Sequence, residues 1–134
     1  MKYEWNENLE CGYEEIDNQH KQLIETLNKL MKASSEGKSE KVVLETLDFL
    51  TGYSIKHFED EENLQIKYNY PDYIHHKQIH DEFKNVVGEL IKKVQKEGPT
   101  IEIIDIVSST MGAWLLTHIK GDDFHMAGFI KSRL

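Results

Sequence analysis

Residues 43–64 read VLETLDFLTGYSIKHFEDEENL, and the spacing along this stretch decides the fold. Val43, Leu47, Leu50, Ser54, His57, Glu61 and Leu64 recur at steps of three and four, the period at which side chains share one face of an α-helix. The same period continues outward on both sides. Ile16, His20, Leu23, Leu27 and Leu30 form a seam before it, and Tyr73, His76, His80, Phe83, Val87, Leu90 and Val94 form one after it. Ile104, Val107, Met111, Trp114 and His118 form a fourth. Steps of three and four place a residue at the centre of a helical bundle. Between the seams lie Ser34-Ser35-Glu36-Gly37, Asn69-Tyr70-Pro71 and Gly98-Pro99-Thr100, compositions that stop or start helices rather than turn hairpins. Strand-like alternation and internal repeats are absent. The sequence therefore predicts an all-α fold, an antiparallel up-down-up-down four-helix bundle. It is expected as one domain over 1–134, with an N-terminal arm over 1–16, the bundle over 17–123 and a short C-terminal tail over 124–134. Asp17 is the expected N-cap of the first helix, Pro71 a first-turn residue of the third, and Thr100 the cap of the fourth.

Composition narrows the function. With 134 residues, 39% hydrophobic and 10% aromatic, the chain suits one domain with a modest core. A formal charge of −8 argues against nucleic acid and anionic membranes as partners. The opening MKYEWNENLE is acidic where a signal peptide needs an apolar run, and no stretch approaches the ~20 apolar residues of a membrane span. A soluble cytoplasmic protein is expected. Cys11 is the only cysteine, so no intrachain disulfide forms, and no base beside it marks it as a nucleophile. No seam carries a spare apolar face that demands a partner, so a monomer is expected.

The informative feature is what interrupts the apolar seams. His20, His57, Glu61, His76, His80 and His118 occupy core positions. A buried polar group without a partner costs about 2–7 kcal/mol, and an unpaired carboxylate costs more. Six such groups need a common partner. His20 and His76 with His80 lie near the starts of the first and third helices, His57 with Glu61 and His118 near the ends of the second and fourth. In an up-down-up-down bundle those starts and ends meet at one level. His57/Glu61 and His76/His80 are each four apart, so each pair projects from one face, a spacing that suits metal ligands. On helical period alone the next carboxylate to join them is Asp122, four after His118, because positions five apart diverge by roughly 140°.

Taken together, Asp17-Asn18-Gln19-His20, His57-Phe58-Glu59-Asp60-Glu61-Glu62, His76-Lys77-Gln78-Ile79-His80 and His118-Ile119-Lys120-Gly121-Asp122-Asp123 resemble the hemerythrin family over essentially the whole chain. The resemblance implies a non-haem di-iron centre that binds O2 reversibly, in a protein that is not an enzyme. It implies metal ligation by His20, His57, Glu61, His76, His80, His118 and Asp123, with Asp123 taking the place that period alone gives to Asp122 and Gly121 ending the helix to free it. His76, His80 and His118 fall to one iron, His20 and His57 to the other, and Glu61 and Asp123 bridge. Five imidazole nitrogens, two bridging carboxylates and a bridging oxygen ligand then fill all but one position of two octahedral irons, which leaves a place for O2.

An apolar seam of Leu23, Leu27, Ile24 and Trp114 is the expected O2 pocket, excluding water and protons. Phe58 is expected in the core or the pocket wall, and Trp5 on an arm packed against the bundle. His75, His125, Asp60 and Glu62 are expected either at the surface or behind the ligands. Two other functions fit the same site: a di-iron redox enzyme, and a sensor of O2, redox state or NO. An unidentified O2-consuming or redox partner is compatible with each.

Overall fold

In the computed structural model, which describes residues 2–134, each seam lies on one long helix. The helices are α1 (Glu14–Ser35), α2 (Glu40–Lys67), α3 (Tyr73–Glu97) and α4 (Ile101–His118). A π-helical turn, Ile119–Asp123, carries α4 without a break into α5 (Phe124–Lys131). α1 and α3 each pack against α2 and α4, so the four long helices form a ring of neighbours, the arrangement of an antiparallel bundle. Among the described residues there is no strand, and no helix is long and apolar enough to cross a membrane.

Local chemistry sets the helix ends. The hydroxyls of Ser39 and Thr100 accept hydrogen bonds from the amides of Val42 and Ile103, at 3.3 and 3.2 Å, and cap α2 and α4. α1 and α2 both finish in a left-handed residue, Gly37 at φ 68° and Asn69 at φ 54°. The amides that follow, of Lys38 and Tyr70, reach back to the carbonyls of Ala33 and Gln65.

Two expected helix starts are corrected. α1 begins three residues before Asp17, which sits inside the helix and accepts from the backbone amides of Cys11 and Gly12 at 2.8 and 3.1 Å. It fixes the turn leading into the helix instead of capping it. Pro71 stands outside α3, whose N-cap is Asp72.

The main core runs along the bundle axis from Ala33 and Val94 to Phe58 and Leu115, through Leu27, Leu30, Leu47, Leu50, Ile104 and Met111. Each fully buried Leu or Ile contributes about 1.5–3 kcal/mol. Two satellite clusters flank the other end. In one, the C-terminal tail, which is helical as α5, places Met126, Ala127 and Ile130 against Ile16, Cys11 and Tyr70. In the other, Leu9 buries against Ile24 and Ile119, with Trp5 and Tyr3 packed beside them. The arm is pinned by Tyr3, whose amide donates to Asn28 Oδ1 at 2.8 Å and whose carbonyl accepts from Asn28 Nδ2 at 2.6 Å. Its ring passes over Gly112, where a β-carbon would collide with it.

Candidate metal centre

Where the main apolar core ends at Phe58 and Leu115, all four long helices present polar side chains inward at one level. His20 comes from α1, His57 and Glu61 from α2, His76 and His80 from α3, and His118 from α4. The π-turn adds Asp123, and all seven side chains are buried.

The two carboxylates stand between two sets of imidazoles. Glu61 Oε2 lies 3.3 Å from His57 Nε2 and 3.6 Å from His20 Nε2. Its other oxygen, Oε1, lies 3.1 Å from His80 Nε2 and 3.4 Å from His76 Nε2. Asp123 divides the same way: Oδ2 is 2.9 Å from His20 Nε2, while Oδ1 is 3.2 Å from His76 Nε2 and 3.1 Å from His118 Nε2. Two groups with metal-binding spacing result, Glu61/His76/His80/His118/Asp123 and His20/His57/Glu61/Asp123, sharing both carboxylates.

Asp123 reaches the cage because the backbone departs from the α-helix. In a π-turn each hydrogen bond spans i to i+5, so one more residue enters the turn. The residue five after His118 then comes round to the face that the fourth would hold in an α-helix. The expected break at Gly121 does not occur, since the chain stays helical through the turn into α5. Asp122, displaced from the cage, instead accepts from His118 Nδ1 at 2.9 Å.

The outward nitrogens of two further histidines are also engaged. Glu62 Oε2 accepts from His80 Nδ1 at 2.8 Å. Gln19 Oε1 accepts from His57 Nδ1 at 2.6 Å, and Gln19 Nε2 donates to Asp60 Oδ2 at 2.8 Å. Lys56 Nζ holds that same oxygen at 2.9 Å. Of the two alternatives for Asp60 and Glu62, the structure places both behind the histidines. His75 and His125 are exposed, the latter on α5 rather than beyond the last helix. Gln19 had no sequence reading of its own. Its signal was position: it flanks His20 at the edge of a seam, where a side chain is buried without facing the axis.

The electrostatics are those of buried imidazoles and carboxylates facing one another. Burial alone would lower the basicity of His20 and His76, but the carboxylates of Asp123 and Glu61 reverse this and raise both to about 9. His118 is pulled down by burial and pushed up to about 12 by Asp123 and Asp122. Burial opposes ionisation of Glu61 and Asp123, yet the surrounding imidazoles, His57 foremost for Glu61 and His118 for Asp123, hold both below the ordinary carboxylate range. Outside the cage, burial pushes the Cys11 thiol up to about 12, which keeps it un-ionised and unreactive at neutral pH.

An aromatic wall closes the cage on the core side. The Phe58 ring stacks on His80 at 4.1 Å, Trp114 stacks on His118 at 4.7 Å, and Phe83 meets Trp114 at 4.3 Å. Leu23 and Leu27 lie in the same apolar cluster as Phe58, with Trp114 packed against it. Ile24 faces away from them, into the cluster with Leu9 and Ile119.

Fold and site together define a class, a four-helix bundle closed round a buried histidine–carboxylate cage with two overlapping groups spaced to hold a cation. The profile of the Hemerythrin HHE cation binding domain matches residues 11–130. The chain belongs to that family. It is 33% identical over 130 residues to a bacteriohemerythrin of Stenotrophomonas maltophilia, covering 97% of this chain and 82% of that protein. It is 31% identical to a myohemerythrin of Theromyzon tessulatum, covering 94% and 92% of the two chains. A crystal structure of a hemerythrin leucine-to-tyrosine mutant superposes with a TM-score of 0.81 at 25% identity, covering 96% of each chain.

Proposed function

We propose that this protein binds O2 reversibly at two irons held by His20, His57, Glu61, His76, His80, His118 and Asp123. The observation that carries the reading is the sharing of Glu61 and Asp123 between two histidine groups, one oxygen of each carboxylate facing each group. The residues fit a pair of cations on physical grounds. Six of the ten buried side-chain polar atoms that lack a hydrogen-bond partner among the described residues are His20 Nε2, His76 Nε2 and the four carboxylate oxygens of Glu61 and Asp123, so the deficit is local and cations in the cage remedy it. His80 Nε2 and His118 Nε2 both turn inward, 3.1 Å apart, and with Nδ1–H given to Glu62 and Asp122 each can offer a lone pair to one cation. Five imidazoles, two carboxylates and no thiolate suit iron better than structural zinc.

Iron held by these residues would supply the electrons that O2 binding requires. The chain supplies the rest. Glu62 and Asp122 accept the outward protons of His80 and His118, which leaves each Nε2 lone pair aimed into the cage. Leu23, Leu27 and Trp114, with Phe58, exclude the water and protons that would make O2 binding irreversible. We also propose that the protein acts as a single-domain monomer in the cytoplasm.

The test is anaerobic reduction of the iron-loaded protein followed by air and then argon, with iron counted per chain. Two irons and a visible absorption that rises in air and fades under argon are expected. Two irons that oxidise once without that reversal would replace this reading with a redox enzyme or a sensor.

A further inference from the structure

The hydrogen bonds behind the cage differ between its two halves. In the three-histidine half, His80 and His118 each donate Nδ1–H directly to a carboxylate, Glu62 at 2.8 Å and Asp122 at 2.9 Å. A carboxylate only accepts, so it dictates which nitrogen carries the proton and makes the imidazole a stronger donor to metal. In the two-histidine half neither imidazole has that support. His20 Nδ1 is buried with no partner, and His57 Nδ1 meets the neutral amide of Gln19. An amide can present either its oxygen or its nitrogen, so by itself it leaves the tautomer of His57 undecided. The decision is made one bond further out. Asp60 Oδ2 must accept, and Lys56 Nζ holds it in place, so the Gln19 NH2 turns toward Asp60 and the Gln19 oxygen toward His57. His57 then carries its proton on Nδ1, and Nε2, 3.3 Å from Glu61, is free to bind a cation.

We infer that Gln19 and Asp60 are positioning residues that lock His57 in its metal-binding tautomer, and that the His20/His57 half, which has no carboxylate directly behind either imidazole, is the weaker of two unequal cation sites. This rests on the dinuclear reading above. It adds a prediction about order: the three-histidine half fills first and empties last. The control sits on a partly exposed residue, Asp60, which no ligand set includes.

The experiment titrates metal-stripped protein with Co2+ and reads the absorption of each bound equivalent, alongside 15N-histidine NMR of the metal-stripped protein, in which no metal fixes the tautomer. The parent protein should bind two equivalents in resolved steps and show His57 protonated at Nδ1. Asp60→Ala frees the amide to rotate; it should weaken the second step by about 10–100-fold, move the first by less than about twofold, and erase the His57 Nδ1–H signal. The double variant Gln19→Glu/Asp60→Asn rebuilds an acceptor-only partner for His57 and should restore the second step and the signal. A purely structural role for Asp60 would lower the melting temperature without changing the tautomer. Equal weakening of both steps, or an unchanged His57 tautomer in Asp60→Ala, overturns the inference. Failure of the parent protein to bind any Co2+ would instead overturn the dinuclear reading.

Discussion

Asp122 and Asp123 are adjacent, chemically identical, and differ in what they touch. Asp123 is fully buried between the two histidine sets, while Asp122 is partly exposed and bonded to the back of His118. Asp123→Asn should therefore abolish binding of at least one of two irons, because an amide cannot serve as an anionic bridge. Asp122→Asn should retain iron and loosen it by about 10–100-fold, the usual cost of losing a carboxylate behind a metal-bound histidine. Iron content after dialysis separates them, and loss confined to Asp122→Asn would reverse the assignment. Leu27, 1% exposed, tests water exclusion at the same scale. Leu27→Ala opens space beside the aromatic wall, costs about 2–5 kcal/mol of stability and should speed oxidation of the reduced iron in air. An unchanged oxidation rate would remove the dry wall from the mechanism.

Among the elements, the π-turn and the N-terminal arm do what an ideal bundle could not. The extra residue in the turn after α4 brings Asp123 inward and at the same time sets the direction of α5, whose apolar side covers Ile16 and Tyr70. The arm lies across α1 and α4 because Gly112 leaves room for the Tyr3 ring. Gly112→Leu should expel the arm while the bundle keeps its helical content, so limited proteolysis within residues 2–9 should accelerate several-fold. Protection unchanged from the parent would show that the arm is held by Asn28 and Leu9 alone. Thr100→Ala removes the α4 cap and should cost about 1 kcal/mol, visible as a lower denaturant midpoint.

Over the whole molecule the cage dominates the dependence of stability on pH. Once metal is stripped, the positive charge facing Glu61 and Asp123 comes from protonated histidines. His20 and His76 rise from 6.5 to about 9 in the folded chain, so their contribution is fully present below pH 6.5 and is lost as pH rises through about 9. The depressed carboxylates act oppositely: their contribution is present above the ordinary values of 4.5 for Glu61 and 3.8 for Asp123, and is lost as pH falls below them. Metal-stripped protein should accordingly melt highest near pH 5–6 and progressively lower toward pH 9. Metal replaces the protons, so the gap in melting temperature between loaded and stripped protein should widen over the same interval. A gap independent of pH would show that the histidines are not protonated in the stripped cage.

The bundle was legible from the chain alone, because a period of three and four repeated over four seams leaves a helix no other face to bury. So were six of the seven cage residues, since His20, His57, Glu61, His76, His80 and His118 stand on that same period and burying them singly would be too costly. Asp123 was legible only through the family resemblance: α-helical spacing points to Asp122, and the π-turn that overrides it is a backbone adjustment with no marker in hydrophobic period. Capping went the same way. Thr100 could be read from its place after Gly98-Pro99, whereas Asp17 was recruited by amides of the preceding turn. The layer behind the histidines came only from the packing of the helices. Glu62, Asp122, Gln19 and Asp60 lie off the seams, and their partners sit up to 41 residues away in the chain, as Gln19 and Asp60 do. Periodicity reports which face of a helix turns inward, but a hydrogen bond needs two particular atoms at one distance, and only the packing of helix against helix fixes that.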